Sequence, residues 1–266
     1  MENTISVILP IKTSKVQLFE DFFNKAITSV KNQKEYVDEL VIVHTDETLL
    51  TEYLDEFDFS GLSVTRLVWT DTPNFAEQVN AAVKECSSDW VSILEFDDEY
   101  SNIWFKNVKE YMNYYKDVRS FLPIVVDVDD KGLFAGFTNE ATFAANFTSD
   151  LGVLTNETLQ NYQNFQISGL VISKKDFLDN GGIKSNIKLT FGYEFLLRMT
   201  NSNTKFLTIP RIGYKHMNMR EGSVFWNYKF GDDRLDESEV KFWIESAKKE
   251  YLFTTQREIN YVQEEV

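Results

Sequence analysis

Three carboxylates fall within four residues at Glu95-Phe-Asp97-Asp98, directly after the apolar run Trp90 to Leu94. Carboxylates at the end of a buried strand can hold a hard divalent cation and, through it, a phosphate group. His216, one of only 2 histidines, offers a further metal-ligating side chain. Its neighbours Arg220-Glu-Gly-Ser223 form a polar, glycine-containing loop after a strand, where Arg220 could clamp a phosphate in bidentate fashion. A second acidic run, Asp127-Val-Asp-Asp130, is followed by Lys131-Gly132 and reads as a solvated hairpin turn.

The elements that must position these residues follow from hydrophobic periodicity. Ile5 to Pro10, Val37 to Val43, Leu62 to Trp69 and Trp90 to Phe96 read as strands. Between them lie helical patterns: Phe19, Phe22, Phe23, Ala26, Ile27 and Val30 after a Ser14 cap, then Leu49 to Phe57, then Phe75 to Glu85. Strands alternating with helices predict βαβ units and an α/β fold with a mostly parallel sheet. Right-handed crossovers then gather the strand ends on one edge, where Lys12–Lys15, His44–Glu47 and Glu95–Glu99 face one crevice. Further strands are expected at Ser120–Val126, Ile167–Ser173 and Lys205–Pro210, with helices at Ile103–Tyr115 and from Phe191. Residues 132 to about 165 show weak periodicity. The stripe Val240, Trp243, Ala247 and Tyr251 predicts a terminal amphipathic helix packed on the domain.

Composition narrows the function by exclusion. A net charge of -15 repels a phosphate backbone, which disfavours nonspecific binding to nucleic acid or anionic membranes. Duplex nucleic acid as acceptor is disfavoured with it. Modified DNA stays open only if Lys174, Lys175, Lys184 and Lys188 make a local basic patch. The single cysteine, Cys86, excludes an internal disulfide and reads as a packed small hydrophobe. No secretory leader or run of about 18 apolar residues is present, so a cytoplasmic location without a membrane span is expected, and the sequons at Asn146 and Asn156 carry no weight. Neither G-x-G-x-x-G after the first strand nor a P-loop motif occurs, which removes support from dinucleotide and P-loop readings.

The order of these pieces resembles the GT-A glycosyltransferases, specifically the family-2 group, from Ile5 to about Ser223. Ser6-Val-Ile-Leu-Pro10 with Ala26-Ile-Thr-Ser-Val-Lys-Asn-Gln33 is similar to the family's opening strand and helix. Asn74-Phe-Ala-Glu-Gln-Val-Asn80 and Asp89 to Asp98 resemble its asparagine-containing helix and aspartate motif. Gly182 followed by Gly192-Tyr-Glu194 and Arg198 is similar to its acceptor-side acidic motif. The resemblance implies a Rossmann-like GT-A fold with helices on both faces of the sheet. It implies a GT-A domain over residues 1–225, with a nucleotide part over 1–130, an acceptor part over 131–225 and a helical extension over 226–266.

By the same resemblance the activity is a metal-dependent, inverting sugar transfer from a nucleotide-diphosphate donor, a UDP-sugar, to a saccharide or other hydroxyl acceptor. Asp97 is the implied metal ligand, Asp98 the second candidate, and His216 the residue completing the Mn²⁺ or Mg²⁺ site. Glu95 is the implied ribose contact. Pro10, Asp46, Asn80 and Arg220 are the other implied donor contacts, and Glu194 the catalytic base. Three positions depart from the family pattern: His44-Thr-Asp-Glu47, Gln78, and Phe195 where a second acid often follows the glutamate. A nucleotidyltransferase is the first alternative, weakened because Ile11-Lys-Thr-Ser-Lys15 lacks glycines. A noncatalytic nucleotide- or sugar-binding module of the same fold is the second.

Overall fold

The computed structural model describes residues 3–11, 16–69, 74–145, 152–218 and 220–252, apart from the side chains of 16–18 and 144–145. The Lys12–Lys15 cluster, the Ser14 cap and the Asn146 sequon lie outside the described residues. In chain order the first half runs β1 (Ile5–Ile11), α1 (Val16–Lys31), β2 (Glu39–Thr45), α2 (Thr48–Glu56), β3 (Val64–Trp69), α3 (Phe75–Glu85), β4 (Trp90–Ile93), β5 (Glu99–Tyr100) and α4 (Trp104–Tyr114). The second half runs β6 (Ser120–Val128), β7 (Phe134–Thr138), α5 (Ala141–Ala145), β8 (Gly152–Leu154), α6 (Asn156–Asn161), β9 (Val171–Ser173), α7 (Lys174–Asp179), α8 (Phe191–Asn201), β10 (Phe206–Met217), α9 (Val224–Phe230) and α10 (Glu237–Glu250).

Among the described residues all ten strands join one sheet, ordered β3-β2-β1-β4-β9-β6-β10-β5, with β7 beside β6 and β8 beside β10. β1, β2, β3 and β4 pair in parallel, and β6 pairs β10 in parallel. Because β9 opposes both β4 and β6, those two point the same way. β3, β2, β1, β4, β6 and β10 therefore end on one edge of the sheet. That common edge is where an open α/β sheet binds its ligands.

Strand faces alternate, and each face is covered. Leu40 and Ile42 of β2 join Phe19, Phe23, Leu54 and Trp104 in one core, beneath α1, α2 and α4. Val41 and Val43 join Val79, Val83, Phe195 and Leu196 in the other, beneath α3 and α8. Burying both faces is what makes these strands read as nearly continuous apolar runs. α3 starts at a full capping box between Asn74 and Glu77, and its periodicity predicts its bounds as found.

Several elements differ from their sequence-based bounds, and four of these lie at the site: β6 runs on to Val128, β9 starts only at Val171, and β4 and β10 change as follows. β4 stops at Ile93, so Glu95 and its neighbours sit in a turn rather than in the strand. β10 continues through Met217 instead of ending at Pro210, with register shifts between Thr208 and Tyr214 that absorb Pro210 and Gly213. The weakly periodic stretch after residue 132 folds as β7, α5, β8 and α6.

Candidate active site

The turn after β4 is fixed from three sides. The Leu94 amide donates to Ile8 O at 2.9 Å, keeping the chain beside β1. The Glu95 amide donates to the Tyr214 hydroxyl at 2.9 Å, and the Asp98 amide closes the turn on Glu95 O at 3.1 Å. β5 then pairs antiparallel with Tyr214 and Lys215 of β10. The acidic turn is thus carried across to the strand that bears His216.

This closure brings together Glu95, Asp98 and His216, each offering one ligand atom, all within 4.8 Å of one another. Asp98 is buried; it takes the Met217 amide on Oδ1 at 2.8 Å and faces His216 Nδ1 with Oδ2 at 2.9 Å. Ser168 donates to Glu95 Oε1 at 2.8 Å. Burial, then the charges of Asp98 and Asp97, push the Glu95 carboxyl up to about 7, against the pull of His216 and Ser168. Burial lowers the His216 imidazole, but Asp98 beside it, with Glu95 and Asp127, outweighs this and carries it up to about 10. The cluster is a set of carboxylates held at close range by one proton-bearing imidazole. A divalent cation could take that proton's place.

Asp97 points elsewhere. It pairs with Arg220 Nε, and the guanidinium lies 4.9 Å from the centre of the Phe96 ring. Burial and the Asp98 charge still hold Asp97 above the usual carboxylate range.

Gln78, where the family often has a basic residue, is buried and donates to Ile11 O at 2.8 Å, tying α3 to the end of β1. Pro10 is buried one residue before that end, opposite Val43. Asp46 follows β2 with an exposed side chain, its amide bonded to Trp69 O at 2.9 Å. His44 is buried within β2; its Nδ1 faces Thr45 O at 2.9 Å and its Nε2 has no partner among the described residues. Asn80 spends its amide on Ile183, donating to its O at 2.7 Å and accepting from its N at 2.9 Å.

Glu194 sits in the first turn of α8 with its side chain fully buried. Arg198 Nε and Lys184 Nζ each stand 2.9 Å from its Oε1, and the Tyr251 hydroxyl donates to the same oxygen at 2.6 Å. Burial alone raises its carboxyl; Arg198, Tyr251 and Lys184 overcome that and lower it. The start of α8 nonetheless lies close to the acidic turn, because Gly192 packs against Ile167, next to Ser168. Phe191 and Gly192 stand there.

Asp127 is the residue that sequence reasoning set aside. The hairpin turn is real, but it spans Asp129 to Gly132, where Asp129 Oδ1 accepts the Lys131 and Leu133 amides. Asp127 lies in β6, buried, directly opposite His216 on β10. Gln166 Nε2 donates to its Oδ1 at 3.2 Å. The signal was the alternation Val126-Asp127-Val128, which continues the strand pattern past its expected end. Three of the four lysines of the possible basic patch are used singly: Lys174 donates to Cys86 O at 2.5 Å, Lys175 pairs Asp179, and Lys184 joins Glu194.

A mostly parallel sheet, helices on both faces and an acidic turn at the strand ends define a GT-A type glycosyltransferase fold. A profile of Glycosyl transferase family 2 matches residues 6–165. The chain belongs to that family, and it is a nucleotide-sugar glycosyltransferase. No curated protein matches the sequence. Similar solved structures include residues 1–349 of S. aureus TarS in complex with UDP-GlcNAc, at 14% identity, covering 94% of this chain and 71% of that one, with a TM-score of 0.64. The same fragment in complex with UDP gives 15%, 94%, 70% and 0.61, and S. aureus TarS itself 16%, 96%, 44% and 0.57. Among the described residues no helix is long and apolar enough to cross a membrane.

Proposed function

We propose that this chain transfers a sugar, with inversion, from a UDP-sugar to the hydroxyl of a saccharide or another acceptor, with Mn²⁺ or Mg²⁺ bound. One observation carries the metal dependence: Glu95, Asp98 and His216 converge at the edge where β4, β6 and β10 end. Two carboxylates and an imidazole suit a Mn²⁺-type ion, which tolerates nitrogen and prefers oxygen. Asp98 and His216 would hold it, with Glu95 as third ligand or as ribose contact. When bound, such an ion stabilises the charge of the departing diphosphate.

The remaining residues prepare that step. Tyr214 and Ser168 fix the Glu95 turn from its backbone and its side chain. Arg220, anchored by Asp97 and stacked on Phe96, keeps guanidinium donors beside the cluster for the phosphates. UDP as carrier is supported by the similar fold of TarS, solved with UDP and with UDP-GlcNAc. Glu194 we read as the anchor of the chain after α10, since its carboxylate serves Arg198, Lys184 and Tyr251.

A thermal-shift screen of UDP-, GDP-, CDP- and dTDP-sugars with and without Mn²⁺ tests the donor reading. A native-state ligand raises Tm by mass action, so a UDP-sugar with Mn²⁺ gives the largest rise. An equal rise for every base, or none with metal present, refutes it.

A further inference from the structure

The short helix α9 leaves its aromatic rings uncovered. Four of its seven residues are aromatic (Phe225, Trp226, Tyr228 and Phe230), yet none of them is buried. Phe225 is 40% exposed, and Trp226 is half-buried with an indole N–H that has no partner among the described residues. Rings exposed at this density beside a site mark a binding surface.

A closed circuit of contacts fixes where they stand. Phe191 opens α8 and is followed by Gly192, which packs on Ile167. The next residue, Ser168, bonds Glu95. Two residues beyond Glu95, Asp97 pairs with Arg220. The Ser223 amide donates to Arg220 O at 3.0 Å, and the Ser223 hydroxyl caps α9. Phe225 then stacks on Phe191, with centroids 5.8 Å and planes 17° apart, and the circuit is complete. A third ring extends the stack: Phe75, the first residue of α3, lies 5.5 Å from Phe191. Its neighbour Asn74 donates to Ser185 O, in the loop that leads into α8. Three helices thus give one ring each to a row that borders the acidic turn.

The chemistry of such a row is selective. A pyranose carries C–H bonds on its faces and hydroxyls around its rim. The faces sit on the electron-rich faces of aromatic rings, while the rim hydroxyls stay free for polar partners such as the Trp226 N–H. One donor sugar covers one ring, whereas three rings in succession suit linked sugar units. A lipid chain needs a roofed apolar groove, but here the core backs Phe75 and Phe191 while Phe225 opens to solvent. A net charge of -15 disfavours a polyanionic chain.

We propose that Phe75, Phe191 and Phe225 form the acceptor subsite, and that the acceptor is an uncharged oligosaccharide whose rings stack along the row. This reading rests on the sugar transfer proposed above. The row binds and orients; no bond forms or breaks on it.

Full-length wild type, Phe225→Ala, Phe225→Trp, Phe191→Ala and Tyr114→Ala are compared, Tyr114 being an exposed ring on α4, across the sheet. Wild type is screened on an array of short gluco-, galacto-, manno- and N-acetylglucosamine oligomers, and the tightest binder is titrated by calorimetry into each variant. UDP with Mn²⁺ is titrated into the same samples, reporting the donor site and an intact fold. Phe225→Ala and Phe191→Ala weaken the oligosaccharide about tenfold and keep UDP within about threefold; Phe225→Trp restores the affinity, and Tyr114→Ala changes neither. Equal oligosaccharide affinity in wild type and Phe225→Ala overturns the proposal. So does a matching loss of UDP affinity in Phe225→Ala, or capture of wild type by phosphatidylcholine vesicles in place of any oligosaccharide. Wild type that binds UDP but no oligosaccharide overturns it and leaves the donor reading standing. Wild type that binds an oligosaccharide but no UDP overturns the donor reading, and with it the role of the row as an acceptor subsite.

Discussion

Replacing Glu194 by glutamine separates an anchor from a base. The carboxylate is fully buried against Arg198, whose side chain is 12% exposed, and Lys184, which is 34% exposed. Removing one partner of a buried pair costs about 3–5 kcal/mol, because the other charge is left uncompensated. Here Arg198 keeps its bonds to the Asn180 and Gly182 carbonyls, and Lys184 reaches solvent, so its share is that of a surface pair, about 0–1 kcal/mol. The lower end, about 3 kcal/mol, is therefore expected. With an unfolding entropy of about 2 cal/mol/K per residue, a chain of this size loses about 5 °C in Tm. The effect has a pH signature. Glu194 is depressed below its ordinary 4.5, so the unfolded state binds the proton more readily. Its contribution is present above about pH 4.5 and vanishes as pH falls through the folded value, so the two melting curves converge in acid. Calorimetric melts at pH 7 and pH 4 read both. Sugar-nucleotide turnover at 20 °C, well below either Tm, should stay within about threefold of wild type. A variant with unchanged Tm and turnover down a hundredfold would mean that Glu194 does the chemistry and that the anchoring argument is wrong.

Asp98→Asn should weaken Mn²⁺ binding at least about a hundredfold, beyond what loss of an outer-shell partner costs, whereas Asp97→Asn should change it by less than about tenfold; calorimetric titration compares them directly. At the proposed site, Mn²⁺ would have to displace the His216 proton, held to about pH 10, and below about pH 7 a Glu95 proton as well. Affinity should therefore rise with pH, about tenfold per unit from 7 to 9 and more steeply below 7, and a flat profile would exclude His216 as ligand. The metal-free protein carries the matching stability term: His216 favours the folded state fully below about pH 6.5 and loses this as pH rises through about 10, so the Tm gained on adding Mn²⁺ should widen with pH. Gly182→Ala drives a Cβ into Asn80 Oδ1 at a φ of +65°, and a melt should show a loss of about 2 kcal/mol together with the Asn80–Ile183 link.

What could be read from the sequence was decided by the range of the forces involved. The βαβ half was legible because both sheet faces are buried, and the apolar runs that satisfy them are local in the chain. That an acidic cluster ends β4 at the ligand edge was legible too. Which acid faces which partner was not. The Asp98 amide closes on Glu95, so residues three apart converge while Asp97 between them turns to Arg220, and that geometry depends on Tyr214, 119 residues away. His216 falls beyond the expected strand end because Pro210 and Gly213 interrupt the pattern, yet the register shifts of β10 carry the strand past both.

The same distance effect explains Asp127 and points to how the two halves of the chain make one site. β9 runs against β4 and β6 and covers only the first two residues of β6, so the far end of β6 has lost that neighbour by Asp127. β7 takes the place beside Val125 to Val128, and the segment Gln166 to Gly169 fills the gap left toward β4. A short antiparallel strand inserted between two parallel sets thus brings carboxylates from different halves of the chain to one edge of the sheet. No local pattern encodes that gap. It arises because β9 is three residues long, so that Gln166 to Gly169, rather than a longer β9, spans the space between Glu95 and Asp127.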